Sequence, residues 1–185
     1  MKLEQFEKEN RQSNGDPYGK GRLALIMGGG TCLIKDLSQQ PQGANIIKIG
    51  INHHVNILFP HFIVSEDIEM NPLFEDLEHT KVFGRHKLAQ IITDICPDWN
   101  NSGINAVWIA DYLGFDQIVL AGFDCWNNDL RWHWHDRQFS RAPFREPQFP
   151  KVLDAWQEMK DHLKNPSKVF AISEELKKIF KAWKN

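Results

Sequence analysis

One stretch of the sequence decides the fold: Asn100-Asn-Ser-Gly-Ile-Asn-Ala-Val-Trp-Ile-Ala-Asp-Tyr-Leu-Gly-Phe-Asp-Gln-Ile-Val-Leu-Ala-Gly-Phe-Asp124. It predicts a polar loop, a helix that begins near Ser102 and Gly103, and a strand over residues 117–121. A short apolar and β-branched strand is typical of a parallel sheet that is covered on both faces. Gly122-Phe-Asp124 follows the carboxyl end of this strand, where open α/β sheets bind ligands. The stretch therefore predicts an α/β fold with a ligand site at one edge of the sheet.

The bulk properties of the chain limit its class. With 185 residues and a formal net charge of −2, the chain is long enough for one packed domain and has no excess of basic residues. Strong binding to duplex nucleic acid through phosphate neutralisation is therefore not expected. The cysteines are odd in number and lack CxxC spacing, which favours a reducing cytosol over a disulfide framework. There is neither a signal peptide nor an apolar run of about 18 residues, so we expect a cytoplasmic protein without a membrane span.

Strand-like and helix-like segments alternate along the chain. Residues 1–20 are polar and rich in turn residues, and we expect them to form a flexible arm with a short helix over 3–10 at most. Residues 21–185 are expected to form a single domain. Its predicted strands cover 22–27, 46–51, 61–65, 80–83, 117–121 and 168–172, and its predicted helices cover 33–39, 86–95, 151–164 and segments that begin at 102 and 173. This alternation predicts a three-layer α/β domain with a mostly parallel sheet of about six strands.

Three glycines follow the first predicted strand directly, and the candidate residues of this glycine loop are Gly28, Gly29, Gly30 and Thr31. A tight glycine turn lets a ligand approach the backbone, and its amides can hold a phosphate. The run matches neither GxGxxG nor the Walker pattern. A plain strand-to-helix turn is therefore the alternative interpretation.

The start of the helix at Ser102 and Gly103 is a second candidate phosphate site. The first amides of a helix have no partner inside it, and they point toward an incoming anion. The Ser102 hydroxyl adds one more donor, and Gly103 lets a ligand come close to the backbone.

Polar residues also follow other predicted strands at their carboxyl ends: Asn52, Glu66, Asp67 and Asp124, with Gly122 beside the last of these. Each of them taken alone is typical of a turn. Because the carboxyl ends of parallel strands share one edge of a sheet, we expect these residues to lie together with Gly30. The set predicts a polar pocket.

Two histidines lie in the long segment after residue 124, in the run His133-Trp-His135-Asp136. Imidazole titrates near neutral pH, so either ring can act as a general base. The HxH spacing is also found in metal sites, with His53, His54 and Asp67 as candidate further ligands, but no third ligand is evident. A purely structural role in the segment is the remaining alternative.

The order of these motifs resembles a known superfamily. It runs strand–GGGTCL, strand–Asn52, strand–Glu66-Asp67 and NSG–helix–YLGFDQIVLAGFD, followed by a loop with histidines, a helix, and a strand that leads to Ser173. This order is similar to that of the Rossmann-like superfamily shared by 6-hydroxymethylpterin diphosphokinase-like proteins and the metal-independent bacterial sialyltransferases, which has small relatives in tailed phages. The resemblance covers about residues 22–180.

The resemblance implies a Rossmann-like nucleotide-binding domain and a role for each motif. In the sialyltransferases the glycine loop and the strand-end asparagine contact a cytidine nucleotide, the Ser-Gly helix start holds its phosphate, and a histidine is the base. The nucleotide-binding residues implied here are Gly28, Gly29, Gly30, Thr31, Asn52, Asp67, Ser102, Gly103, Gly122 and Asp124. The implied catalytic base is His135 or His133.

Three functions follow from the resemblance. The first is a transferase that uses a nucleotide or nucleotide-sugar, as a glycosyltransferase does, and needs no cofactor. The second is an ATP-dependent pyrophosphokinase of the pterin kinase type, which would hold Mg²⁺ through Asp67 and Asp124. The third is a non-catalytic phage protein that binds or sequesters a nucleotide in the host cytoplasm. All three predict a nucleotide as partner, and a homo-oligomer is compatible with each.

Overall fold

A parallel sheet of eight strands runs through the part of the chain that the structure describes. Its strands are β1 (Leu23–Met27), β2 (Ile46–Ile51), β3 (Phe62–Val64), β4 (Lys81–Gly84), β5 (Ile91–Ile92), β6 (Gln117–Ala121), β7 (Val169–Ala171) and β8 (Lys181–Ala182). Their order in the sheet is β5-β4-β3-β2-β1-β6-β7-β8, with every neighbouring pair parallel. This computed structural model describes residues 1–52, 58–66, 80–85, 89–97, 99, 101–124 and 148–184, the side chains of 148–151 excepted.

Helices cover both faces of the sheet. α1 (Leu3–Glu9), α3 (Ser102–Tyr112) and α4 (Gln148–Asp161) pack on one face, and α2 (Leu33–Leu37) packs on the other. Short 3-10 helices at Pro166–Lys168 and Leu176–Lys178 flank β7. The predicted α/β class with three layers is confirmed. None of the helices in the described ranges combines the length and the apolarity that crossing a membrane requires.

β1 and β6 lie side by side near the centre of the sheet, and β1 carries apolar side chains on both faces. Ala24 and Ile26 belong to the core beneath α3, whereas Leu25 and Met27 belong to the core beneath α2. None of the four is more than 1 % exposed. A strand that is buried on both faces needs a continuous apolar run, which explains why LALIM forms a strand.

The chain reverses its direction across the sheet between β1 and β6. From β1 it adds β2, β3, β4 and β5 toward one edge, and it then returns to add β6, β7 and β8 on the other side. β1 and β6 therefore form the topological switch point of the sheet, beside which an open α/β sheet usually has a crevice at the carboxyl ends of its strands. In open α/β sheets this crevice is the usual place for a ligand.

The N-terminal segment differs from the expected flexible arm. α1 buries Leu3 and Phe6, which are 0 % and 1 % exposed. The Phe6 ring meets the Phe83 ring of β4 edge to face, with 5.2 Å between the ring centroids. Lys2 forms a parallel bridge with Ile92 of β5. Leu3 and Phe6 stand among polar neighbours and give only a weak periodic signal. The polar composition of this segment therefore did not indicate that it belongs to the core.

The segment after β7 differs from the predicted helix that begins at Ser173. A 3-10 helix at Leu176–Lys178 and the short strand β8 take its place. Phe180 packs near Trp156 on the face of the sheet that carries α4, whereas Trp183 contacts Phe170 on the opposite face. One helical stripe cannot serve both faces, and this explains why the apolar spacing there does not form a helix.

The region predicted as a helix over 86–95 contains β5, which pairs with β4. Residues 86–88 lie outside the described residues. β5 and β8 are the two strands beyond the predicted number, and each has only 2 residues. Strands this short are set by their pairing partners, because two residues are too few for a periodic pattern.

Phe6→Ala should destabilise the protein strongly, because it removes a buried ring from the core. Truncation of a buried phenylalanine typically lowers the free energy of unfolding by about 3–5 kcal/mol. Urea denaturation followed by circular dichroism measures this difference. Phe59→Ala is the matched control, since Phe59 is 86 % exposed and its truncation should change stability by less than about 0.5 kcal/mol. Equal stability of the two variants would show that α1 is not part of the core.

Candidate functional site

Most of the predicted site residues lie at one edge of the sheet. The segments after β1, β2, β3 and β6 leave from the carboxyl ends of these strands, and α3 begins beside them. This edge carries Gly28, Gly29, Gly30, Thr31, Asn52, Glu66, Ser102, Gly103, Gly122 and Asp124. The predicted residues Asp67, His133 and His135 lie outside the described residues, as do His53 and His54.

The glycine loop packs backbone to backbone against the segment after β6. The Gly28 N–H donates to the Ala121 carbonyl at 2.9 Å, and the Gly30 N–H donates to the Gly122 carbonyl at 2.9 Å. A Cβ atom on Gly28 or Gly30 would lie 2.5 Å or 2.6 Å from the Gly122 carbonyl oxygen. Glycine is therefore required at both positions by the neighbouring backbone. The amides of Gly28 and Gly30 serve the protein itself, as the strand-to-helix turn interpretation predicts.

Gly122 is constrained from both directions. Its φ of +77° lies in the left-handed region, which favours glycine. A Cβ atom here would lie 2.5 Å from the Gly28 carbonyl oxygen and 2.8 Å from Leu33 Cδ1. Gly122 consequently has neither the backbone conformation nor the space for a side chain.

Asp124 joins the two loops through its carboxylate. Its Oδ2 accepts the Thr31 N–H at 2.6 Å and the Thr31 hydroxyl at 2.9 Å. Hydrogen bonds to an ionised group are roughly twice as strong as neutral ones. The glycine loop and the segment after β6 are therefore held as one unit at the crevice.

The Phe123 ring lies between the glycine loop and the start of α3. A Cβ atom on Gly28 would lie 2.9 Å from Phe123 Cε1, and one on Gly103 would lie 2.7 Å from the same carbon. On a third side the ring meets Trp156 edge to face, with 5.3 Å between centroids. Phe123 therefore forms the wall that both predicted phosphate loops share.

α3 begins with an N-cap that sequence reasoning did not identify. The Asn101 side-chain oxygen accepts the N–H groups of Gly103 at 2.9 Å and Ile104 at 3.1 Å. Asparagine is among the strongest N-cap residues, so its position just before the predicted helix could have revealed this. The cap occupies the Gly103 amide that was predicted to bind phosphate. The Ser102 N–H is the first-turn amide that the cap leaves out.

Glu66 ties the end of β3 to α3 and to β4. Its own N–H donates to the Ser102 hydroxyl oxygen at 3.0 Å. Its carboxylate accepts the Asn105 side-chain amide at 2.8 Å and the Arg85 N–H at 3.2 Å. Glu66 thus holds Ser102 in place, which is a positioning role for a residue that was predicted only as part of a polar set.

Asn52 has a strained backbone at the end of β2. Its φ of +53° lies in the left-handed region, and its N–H donates to the Val64 carbonyl at 3.1 Å. Asparagine tolerates this conformation better than most residues. Backbone strain at a strand end is frequent at functional sites, and here it coincides with a predicted site residue.

A buried acid–hydroxyl pair lies behind the crevice, and sequence reasoning did not identify it. Asp36 of α2 and Ser173 after β7 are 4 % and 0 % exposed. Asp36 Oδ2 accepts the Gly122 N–H at 2.8 Å and the Ser173 hydroxyl at 2.5 Å. The Ser173 oxygen in turn accepts the Phe123 N–H at 2.9 Å. Ser173 was predicted to cap a helix, but it binds the segment after β6 instead.

Cys32 borders this pair, with its Sγ atom 4.0 Å from the Ser173 hydroxyl oxygen. Burial raises the pKa of the Cys32 thiol well above its ordinary value, and the nearby carboxylates of Asp36 and Asp124 raise it further. The thiol is therefore protonated at neutral pH. A protonated thiol is a poor nucleophile, so Cys32 is suited to packing rather than to covalent chemistry.

The arrangement at the carboxyl edge suits a polar, anionic ligand. It offers a helix start, a Ser102 hydroxyl whose proton has no acceptor among the residues that the structure describes, and the backbone of Gly29. Within the described ranges, no group of three or more His, Cys, Asp or Glu side chains is arranged to hold a metal ion. An open groove of about 590 Å³ lies at the opposite edge, between residues such as Arg22, Asn45 and Asp116. It contains none of the predicted site residues.

The fold is similar to that of solved sialyltransferases. The sialyltransferase CST-II in complex with trisaccharide acceptor and CMP matches with a TM-score of 0.61 and 14 % identity, over 89 % of this chain and 87 % of that one. The monofunctional α-2,3-sialyltransferase Cst-I from Campylobacter jejuni matches with a TM-score of 0.60 and 13 % identity, over 93 % and 84 %. An apo α-2,3-sialyltransferase from the same organism gives 0.55 and 13 %, over 95 % and 83 %.

These matches establish a shared fold. The sequence identity is too low to establish a shared function. They agree with the sialyltransferase branch of the resemblance found in the motif order. The sequence itself matches no family model and no curated protein.

Gly122→Ala should be among the most destabilising small substitutions in the chain. It combines an unfavourable φ with an overlap against the Gly28 carbonyl oxygen, and the two effects together should lower the free energy of unfolding by about 3–5 kcal/mol. Gly15→Ala is the matched control, since Gly15 has a φ of +84° and no atom within 4 Å of the built Cβ. It should cost about 1–2 kcal/mol. Similar losses in the two variants, measured by urea denaturation, would contradict the close approach of the two loops.

Proposed function

We propose that this chain is a transferase that binds a nucleotide-activated sugar, in the manner of a glycosyltransferase. The fold supports this, since it is similar to that of sialyltransferases over 83 % or more of both chains, and one of these is complexed with CMP and an acceptor trisaccharide. The observation that carries the proposal is the convergence at one edge. The glycine loop, Asn52, Glu66 and the start of α3 meet where the chain reverses across the sheet.

The nucleotide phosphate is proposed to rest on Ser102 rather than on the Gly103 amide. The Asn101 cap engages the Gly103 N–H, whereas the Ser102 hydroxyl accepts from Glu66 and keeps its own proton to donate. The Ser102 N–H adds a second donor at the positive end of the helix dipole. The other proposed contacts are the glycine loop with Gly29 and Thr31, Asn52 near the base or ribose, and Asp67, Gly122 and Asp124 at the rim.

The proposed reaction is a displacement at the anomeric carbon of the sugar. The acceptor hydroxyl oxygen forms the new glycosidic bond, the bond from the sugar to the nucleotide phosphate breaks, and the hydroxyl proton passes to a base. We assign the base to His135, or otherwise to His133, because imidazole titrates near neutral pH. Both belong to the segment that leaves the sheet edge after Asp124. The scheme uses no metal.

Ser102→Ala should weaken nucleotide binding. The loss of one hydrogen bond to a charged phosphate typically costs about 1.5–3 kcal/mol, which is roughly a ten- to a hundredfold loss of affinity. Isothermal titration calorimetry with CMP, CTP and ATP measures it directly. We expect the cytidine nucleotides to bind the wild-type protein more tightly than ATP.

Ser167→Ala is the matched control for this titration. Ser167 lies in the short 3-10 helix before β7, and its hydroxyl contacts Asn165, so its removal should leave the affinity for CMP unchanged. Melting temperatures separate a loss of contact from a loss of structure, because Ser102 also accepts from Glu66. If the wild type binds no nucleotide, or Ser102→Ala binds as tightly as Ser167→Ala, the proposed phosphate site is wrong.

His135→Ala should lower the rate of donor turnover while leaving nucleotide affinity nearly unchanged. General-base catalysis contributes typically about 10²–10⁴-fold, so the rate of transfer or of donor hydrolysis should fall by that amount. His133→Ala tests the other assignment in the same assay. The measurement is the release of CMP from a CMP-activated sugar and of UDP from a UDP-activated sugar.

His61→Ala is the control for both histidine variants, because His61 is exposed and precedes β3 at the opposite edge of the sheet. Full activity of both His133→Ala and His135→Ala would remove the catalytic assignment. The assay should proceed in EDTA. A requirement for ATP and Mg²⁺ would support the pyrophosphokinase alternative, and binding without turnover of any donor would support the non-catalytic one.

A further inference from the structure

We propose that Asp36 and Ser173 are positioning residues that fix the Phe123 wall of the nucleotide site. This inference rests on the proposed function, and it concerns two residues that do not face the ligand. They act through the backbone of Gly122 and Phe123. The ligand concerned is the nucleotide, whose phosphate would rest at Ser102, beside the Phe123 ring.

The pair holds two consecutive amides of one turn. Asp36 accepts the Gly122 N–H at 2.8 Å, and Ser173 accepts the Phe123 N–H at 2.9 Å. The Ser173 hydroxyl donates to Asp36 at 2.5 Å, so the two side chains also hold each other. Each hydrogen-bonding group in this set therefore has its orientation fixed by another member of the set.

The pair reaches the turn from both neighbours of β6. Asp36 belongs to α2, which follows β1, and Ser173 follows β7. β1 and β7 are the strands on either side of β6. The end of β6 is thus held from both neighbouring strands, and Asp36 and Ser173 together are called the clamp. β6 ends at Ala121, so these two side chains, together with the Gly30 N–H on the Gly122 carbonyl, hold the turn that follows.

The clamp sets the place of the Phe123 ring. The ring is so close to Gly28 and Gly103 that a Cβ atom on either would lie within 3.0 Å of it. A displacement of the Phe123 backbone would carry the ring either into the glycine loop or into the first turn of α3. The position of the Phe123 wall beside the proposed phosphate contact at Ser102 therefore depends on the hydrogen bonds to the Gly122 and Phe123 amides.

A carboxylate such as that of Asp36 is an energetically unfavourable group to bury. Burying a charge is unfavourable unless it is hydrogen-bonded, and an apolar residue of similar volume often gives equal or greater stability. Among the described residues, the hydrogen bonds that the Asp36 carboxylate accepts come from groups that are themselves at or behind the crevice. These hydrogen bonds are therefore better explained by a role of Asp36 in orienting the turn than by stabilisation of the core.

The test uses Ser173→Ala and Asp36→Asn in the full chain. Asp36→Asn keeps the shape and one acceptor oxygen, so it should fold even if the alanine variant does not. Two quantities are measured: hydrogen exchange of individual amides by NMR without ligand, and the affinity for CMP by calorimetry. Thr93→Val is the matched control, because the Thr93 hydroxyl is buried at the end of β5 and has no hydrogen-bond partner within the described ranges.

We expect exchange at the Phe123 amide to become about tenfold faster or more in Ser173→Ala, and the affinity for CMP to fall about tenfold, as for the loss of one hydrogen bond. Asp36→Asn should affect the Gly122 amide in the same direction. Amides of the central strands, such as those of Ile26 and Leu120, should keep their protection. Phe123→Leu should reduce the affinity while leaving the Gly122 amide protected, because it alters the wall without touching the clamp.

A uniform loss of protection across β1 and β6 would overturn the proposal, because it would indicate a purely stabilising role. Unchanged affinity and unchanged exchange in both variants would overturn it as well. Failure of the wild type to bind any nucleotide would contradict the proposed function and the link to the ligand. The exchange data from ligand-free protein would then decide separately whether Asp36 and Ser173 hold the turn.

Discussion

The close approach of two backbones at the centre of the sheet is the constraint on which the rest of the structure depends. β1 and β6 are neighbours, and the turns after them pass so closely that the Gly28 and Gly122 carbonyl oxygens occupy the space of each other's missing Cβ atoms. A side chain at either position would push the two strand ends apart and would separate Thr31 from Asp124. These glycines are therefore structural in the first place. The surface available to a ligand is formed by the residues that these two turns hold in position.

The fold was predictable where a segment carries its own pattern. Continuous apolar runs give β1 and β6 directly, and the isoleucines of 46–51 give β2. The helix that begins at Ser102 follows from the polar loop before it and from the length of the stretch. Elements that owe their form to distant partners were not predictable in the same way. Leu3 and Phe6 are too few to give α1 an apolar stripe. Phe180 and Trp183 are three residues apart, yet they pack on opposite faces of the sheet. Local spacing has no means of distinguishing this from one helical face.

The sequence allowed the location of the candidate site to be predicted, but not the hydrogen bonds within it. Strand ends read from sequence bring Gly30, Asn52 and Glu66 to one edge, because parallel strands share a direction. The hydrogen bonds within that edge depend on separations of many residues: Asp36 and Ser173 are 137 positions apart, and no local pattern joins them. The Asn101 cap is the exception, since its residue type and its place before the helix could have indicated that the Gly103 amide is already engaged.

The pairing of the first residues with β5 has a consequence for the order in which the chain assembles. Lys2 and its partner Asp94 are 92 positions apart, so α1 has no core to join until β4 and β5 have been synthesised. A helix of 7 residues has little stability alone in water, and closing so long a loop is slow compared with forming local contacts. On the ribosome, Leu3 and Phe6 are therefore not buried before β4 and β5 have emerged. Until then both side chains have no core in which to be buried.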